Sequence, residues 1–170
     1  MTIERFWTMP NRWTFKIPYV KTLLLSTINP GETWCDPFAG RCSPAQVRND
    51  LDKDANADYH LDALEFLKSR GEDEFDGILY DPPYSFRQAS ECYKGNGKEN
   101  FTATVTSQKY WADCKNEAAR IVKHGGFAIC FGWNTNGLGY NRGFQLESVR
   151  ILAHGGSQND TLITIERKWK

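Results

Sequence analysis

Residues 77–88 read GILYDPPYSFRQ. The apolar run over 75–80, entered through Asp76 and Gly77, has the length of one buried strand, and it stops at an acid. Asp-Pro and Pro-Pro are strong turn formers, because proline fixes φ and has no N–H with which to continue a ladder. The stretch therefore predicts a strand that delivers Asp81, Pro82, Pro83 and Tyr84 into a rigid turn. A second strand end of the same kind lies upstream, where 33–36 ends on Asp36 and runs into the turn PFAG at 37–40.

Outward from these two strand ends, strand and helix alternate. Residues 12–29 predict an extended stretch to Pro18 and then a short helix with Val20, Leu23, Leu24 and Ile28 on one side, stopped by Pro30-Gly31. Strands are expected over 46–51 and 57–61. Asp62 has the character of an N-cap for a helix through Arg70, with Glu65 as capping-box partner and Gly71 as the stop. The polar, glycine-containing 88–106 predicts a long loop. A helix is expected over 108–123, closed by His124-Gly125-Gly126, then a strand over 127–133 and a Gly/Asn-rich loop over 134–142. Two further strands, 144–153 and 161–168, are joined by the hairpin-like turn HGGSQND. This pattern predicts a single α/β domain over 1–170, with a mostly parallel sheet and an antiparallel C-terminal hairpin. Ligands of such sheets bind at the carboxyl ends of the strands, near the point where strand order reverses, and Asp36 and Asp81 fall at such ends.

The chain of 170 residues is long enough for one full core. Its 21 basic and 21 acidic residues cancel, so no overall field draws it to duplex DNA or a membrane, and nucleic-acid binding would rest on local patches. Cys35, Cys42, Cys92, Cys114 and Cys130 form no C-x-x-C pair, which indicates neither a disulfide framework nor a zinc site, and no metal is expected. The first ten residues, MTIERFWTMP, lack a signal-peptide core and no apolar run would span a bilayer, so a soluble, cytoplasmic protein is expected.

WCDPFAG at 34–40 followed by LYDPPYS at 79–85 resembles the S-adenosylmethionine-dependent amino-methyltransferases, above all the N6-adenine DNA methyltransferases. That family carries (D/N/S)-P-P-(Y/F/W) on a Rossmann-like sheet, and the likeness runs along most of the chain. The resemblance implies that Asp36, Pro37, Phe38 and Gly40 belong to the cofactor loop. It implies that ADYHLDALEFL at 57–67 is the next cofactor segment, with Asp62 meeting the adenine of the methyl donor. TFKIPYV at 14–20, with Ile17 and Pro18, would close over the methionine end of the donor. Asp50 or Asp52 would hold the ribose hydroxyls, with surface solvation as the other reading.

The residue types suit that chemistry. The exocyclic amine of adenine is a weak nucleophile because its lone pair is delocalised into the ring. Two acceptors aimed at its two N–H bonds draw the nitrogen towards a tetrahedral shape. Asp81 would offer a carboxylate oxygen and Pro82 its carbonyl, and proline brings no competing donor. Two fixed φ angles preorganise the turn. Tyr84 would stack on a base flipped out of its helix, with Phe86 as a second stacking surface. Arg87 opens the segment expected to read the target, and Trp133 and Asn134 would line the base pocket. The run ERFWTMPNRWTFK at 4–16 interleaves Arg5, Arg12 and Lys16 with Phe6, Trp7, Trp13 and Phe15. Such a run suits a nucleic-acid surface, with Trp7 and Arg12 as contacts, or ordinary packing under the first helix.

Two departures from the family pattern stand out. Cys42 occupies the place of the second glycine in D-P-F-x-G-x-G, where a side chain would crowd the methionine part of the donor. Only nine residues separate Gly40 from Asp50, too few for a helix and a strand, so the helices on that side are shortened or missing. A parallel sheet is normally covered on both faces, which leads to the expectation of a partner subunit, a second copy or another protein, over that face. No separate target-recognition domain is recognisable, as in a compact, phage-like member of the family. The resemblance implies DNA adenine as substrate. RNA adenine, cytosine N4 and a non-catalytic nucleic-acid-binding subunit remain alternatives, while a dinucleotide oxidoreductase would require the G-x-G-x-x-G that the first strand lacks.

Overall fold

The computed structural model describes residues 1–156 and 158–170. In chain order it forms β1 (Thr2–Trp7), α1 (Pro18–Thr27), β2 (Trp34–Asp36), β3 (Val47–Arg48), α2 (Ala63–Lys68) and β4 (Phe75–Tyr80). There follow α3 (Phe86–Gly95), α4 (Thr102–Val105), α5 (Gln108–Ile121), β5 (Val122–Gly132), β6 (Phe144–Ala153) and β7 (Thr161–Lys168). The strands make one seven-stranded sheet in the order β1-β6-β7-β5-β4-β2-β3. Only β7 runs antiparallel to its neighbours, β5 and β6. The chain leaves β2 for β3 on one side and later inserts β4 on the other. The switch point therefore lies between β2 and β4, beside Asp36 and Asp81.

The α/β sheet with its closing hairpin matches the sequence expectation. Asp62 caps α2, its Oδ1 accepting from the N–H groups of Leu64 at 3.0 Å and Glu65 at 3.2 Å. The strand expected over 46–51 shrinks to Val47–Arg48, and that over 57–61 to a single bridge between Asn49 and Tyr59. No helix forms between β2 and β3 or between β3 and α2, so the expected shortening is present. The sheet centre on that side is nonetheless covered by the chain itself. Val20 and Leu24 of α1 pack with Phe15 and Ile17 over Leu79, Ile129 and Ile163, which are fully buried. Trp34 fills the remaining space: a Cβ on Gly77 would lie 2.5 Å from its indole, which is why this strand carries a glycine at its start. The opposite face packs under α2, α3 and α5 through Phe66, Tyr93, Cys114 and Ala118.

Three expectations need correction. The segment 88–106 is not a loop. Ser85 caps α3 by accepting from the Gln88 N–H at 3.2 Å, and Ala89 and Tyr93, one turn apart, bury its inner side. A short 3-10 turn and α4 follow, with Val105 fully buried. The helix over 108–123 ends at Ile121, and His124-Gly125-Gly126 belongs to β5 rather than to a helix stop. A Cβ at Gly126 would lie 2.7 Å from the Asp76 carbonyl, so close strand contact is what the glycine there serves. Residues 2–7, to which no strand was assigned, form a parallel edge strand on β6, and within the run 4–16 Phe6 stacks on Tyr19 of α1 and Phe15 is buried, as the packing alternative expects. The turn HGGSQND includes Ser157, outside the described residues. Among the described residues, no helix is long and apolar enough to cross a membrane, and no cluster of His, Cys, Asp and Glu is placed to hold a metal.

Candidate active site

The turn after β4 separates two cavities. The first, of about 590 Å³, reaches Asp81; the second, of about 840 Å³, opens on the other side. Pro82, Pro83, Tyr84 and Trp111 line both. The Tyr84 hydroxyl donates to Asp81 Oδ1 at 2.7 Å, and the Tyr84 N–H donates to Gln88 Oε1 at 2.8 Å. The Tyr84 ring meets Trp133 edge-on, with centroids 5.6 Å apart. Loss of water around Asp81 pushes its pKa up to about 6, and hydrogen bonds from Tyr84 and Thr14 offset this only in part.

The structure sorts the residues singled out in the sequence. Ile17, Pro37, Phe38, Gly40, Asp50 and Arg12 line the first cavity, together with Cys42 and Asp52. Phe86, Trp133 and Asn134 line the second. Five lie outside both. Asp36 is wholly buried beneath the loop, where its Oδ1 accepts from the Phe38 N–H at 2.8 Å and its Oδ2 from the Ser43 hydroxyl at 2.6 Å. Burial pushes its pKa up to about 8. It shapes the loop rather than facing the cavity. Asp62 spends one oxygen on the α2 cap and the other on the hydroxyls of Tyr93 and, at 2.9 Å, Tyr110; its neighbour Ala63 lines the cavity instead. Pro18 opens α1 on the surface. Arg87 points to solvent and pairs with Glu91 at 2.8 Å. Trp7 is 71% exposed at the end of β1, under the Arg5 guanidinium.

Arg41, Lys115 and Glu166 join the site without having been singled out in the sequence. Asp50 Oδ2 accepts from the Gly40 N–H at 2.7 Å, a bond that ties the acid to the left-handed turn at Gly40, φ +55°. The guanidiniums of Arg12 and Arg41 lie 5.1 and 5.8 Å from the Trp13 ring centroid. Lys115 enters the second cavity and donates from Nζ to the Gly137 carbonyl at 2.5 Å, and burial lowers its pKa. Glu166, on the buried side of β7, accepts from the N–H groups of Leu138 at 2.6 Å and Gly139 at 3.1 Å. A Cβ on Gly137 would strike that carboxylate at 2.1 Å, so the loop after β5 depends on a glycine and on an acid 29 residues later. The only sequence signal for Glu166 is one acid among the apolar residues of TLITIE, where the hairpin pattern alone drew attention.

No protein-family model matches the chain, and no curated protein matches it in sequence. Solved structures do match. The 1,6-didemethyltoxoflavin-N1-methyltransferase of Burkholderia thailandensis, bound to 1,6-didemethyltoxoflavin and S-adenosylhomocysteine, superposes with a TM-score of 0.63 at 10% identity, over 90% of this chain and 78% of that one. TrmN from Thermus thermophilus gives a TM-score of 0.59 at 19% identity, over 89% of this chain and 49% of that one. A SAM-dependent methyltransferase from Archaeoglobus fulgidus gives 0.57 at 13% identity, over 88% and 93%. The chain thus spans about half the length of the TrmN structure. At these identities the likeness concerns architecture: the chain has the Rossmann-like α/β fold, with its antiparallel hairpin, of these methyltransferase structures.

Proposed function

We propose that the protein transfers a methyl group from S-adenosylmethionine to the exocyclic N6 amine of adenine in DNA. The observation that carries this reading is the Asp-Pro-Pro-Tyr turn standing at the junction of two cavities, with Asp81 at the carboxyl end of β4. The first cavity suits the donor. It has apolar walls at Ile17, Phe38, Leu51 and Trp111, and the Asp50 carboxylate at its lining can accept from sugar hydroxyls. The donor supplies a methyl group on a cationic sulfur. The second cavity suits a heteroaromatic base: Tyr84, Phe86 and Trp133 offer ring surfaces, and Asn134 offers an amide.

Asp81 and the Pro82 carbonyl accept the two N–H bonds of the amine, which raises its nucleophilicity. The Tyr84 hydroxyl occupies Asp81 Oδ1 in the resting arrangement, so the base displaces it on arrival. As the new N–C bond forms, the methyl–sulfur bond breaks. The amine then sheds one proton, for which Asp81, with a pKa of about 6, is the nearby acceptor. Holding the reacting atoms in line is the main contribution of the turn.

The test uses the purified protein with labelled S-adenosylmethionine and single- or double-stranded DNA or RNA, followed by digestion and detection of N6-methyladenine. Product in DNA is expected, with Asp81→Ala abolishing it while donor binding persists. Product in RNA alone would move the substrate. Donor binding without product on any polymer would favour a non-catalytic nucleic-acid-binding subunit. Failure to bind donor would overturn the cofactor and the activity together.

A further inference from the structure

We propose that Arg12 and Arg41, both carried on the Trp13 ring, form a cationic clamp for the carboxylate of the donor's amino-acid end. The inference rests on the reading of the first cavity as the donor site. It starts from a loss. A helix following the loop after β2 would present free N–H groups and the positive end of its dipole to an anion. Here residues 37–46 form no helix.

The first backbone donors of this loop face inward rather than into the cavity. The Phe38 N–H goes to Asp36 Oδ1 at 2.8 Å, the Ala39 N–H to the Asn49 carbonyl at 2.9 Å, and the Gly40 N–H to Asp50 Oδ2 at 2.7 Å. The cavity also carries the carboxylates of Asp50, Asp52 and Asp81, which repel the donor's carboxylate. Arg12 and Arg41 are the cationic residues among the described lining, and neither forms an ion pair with a described residue.

Trp13 makes the pair a built feature. Its ring leans on the loop, since a Cβ at Gly40 would sit 3.6 Å from Cζ3, an ordinary contact. Both guanidiniums lie within cation–π distance of it, at 5.1 and 5.8 Å from the centroid. Stacking on an indole restrains an arginine and leaves its N–H edge free for a carboxylate, which it can meet with two parallel bonds. One guanidinium comes from the segment before α1 and the other from the loop after β2. Binding of the carboxylate would therefore draw these two segments together over the cavity.

Two ligands separate the clamp from the rest of the site. S-adenosylhomocysteine carries the amino-acid end, while 5′-methylthioadenosine keeps the nucleoside and sulfur but lacks the carboxylate. Isothermal titration of wild type should show tighter binding of the first. Arg12→Gln combined with Arg41→Gln should weaken S-adenosylhomocysteine on the order of tenfold or more and leave 5′-methylthioadenosine unchanged. In wild type alone, the S-adenosylhomocysteine affinity should fall markedly as salt rises. Equal loss of both ligands in the double variant would overturn the clamp, and so would unchanged binding of S-adenosylhomocysteine. A wild type that binds neither ligand would overturn the donor reading itself, and the clamp with it. Thermal melting of the double variant, expected to match wild type because both side chains are exposed, separates lost binding from lost folding.

Discussion

At the scale of single residues, the turn after β4 couples an acid to the tyrosine three positions on. The Tyr84 hydroxyl donates to Asp81 Oδ1 at 2.7 Å, and a bond to the charged form holds the carboxyl below where burial alone would put it. Asp81 is therefore ionised above about pH 6 and neutral below it. With Asp81 as the acceptor, methyl transfer falls as pH drops through that value, since a protonated carboxyl loses an acceptor. Tyr84→Phe deletes the bond, so the Asp81 titration followed by carboxyl NMR should move to higher pH. A midpoint that stays near 6 would show that the hydroxyl does not govern the acid. Asp36 illustrates the converse. Its identity and strand-end position are plain in WCDPFAG, but whether an acid points into a cavity or beneath a loop depends on Ser43 and Phe38, which it meets only in the fold.

At the scale of elements, β4 depends on what lies above it. Gly77 has ordinary strand geometry, and the reason for its lack of a side chain is the Trp34 indole from the neighbouring strand. Gly77→Ala forces a Cβ to 2.5 Å from a fully buried ring, so unfolding in denaturant should show a loss of about 1–3 kcal/mol, the usual range for overpacking. A loss within a few tenths would mean that Trp34 shifts freely. The elements also show why some of the pattern was readable and some was not. β6 and β7 stand where alternation and turn signals put them. α3 was hidden because Gly95, Asn96 and Gly97, which mark only its end, coloured the whole segment as loop, and its N-cap serine follows directly on the Pro-Pro turn.

For the whole molecule, the arrangement of the sheet decides where stability resides. β4, β5 and β7 lie at its centre, whereas β1 is an edge strand with one neighbour and with Ile3 and Trp7 more than half exposed. Its anchors are the Phe6–Tyr19 stack, with centroids 4.1 Å apart, and the ion pair of Glu4 with Arg150. Native-state hydrogen exchange should find the amides of β4, β5 and β7 opening only with global unfolding and those of β1 exchanging fastest among the long strands. Protection of β1 equal to that of β5 would contradict this hierarchy. The same arrangement explains how a chain with so few crossover helices keeps its core dry: α1, Phe15 and Trp34 cover the centre of the face that sequence spacing left bare.

Local chemistry carried the reading a long way. Asp-Pro-Pro-Tyr after an apolar run, Asp-Pro-Phe-Ala-Gly after another, and a closing hairpin suffice for a mostly parallel α/β sheet with an antiparallel end. These signals are local because proline, glycine and strand-length apolar runs act on their own backbone. Only the tertiary structure decided which acids reach the cavities and which hold loops, that Glu166 supports the loop after β5, and that two arginines 29 residues apart share one tryptophan. Most of those facts are pairings between segments far apart in the chain, and even the short link from Asp36 to Ser43 exists only once the loop is folded. Their energy comes from burial and directed hydrogen bonds, which no stretch of chain possesses until the fold brings the partners together.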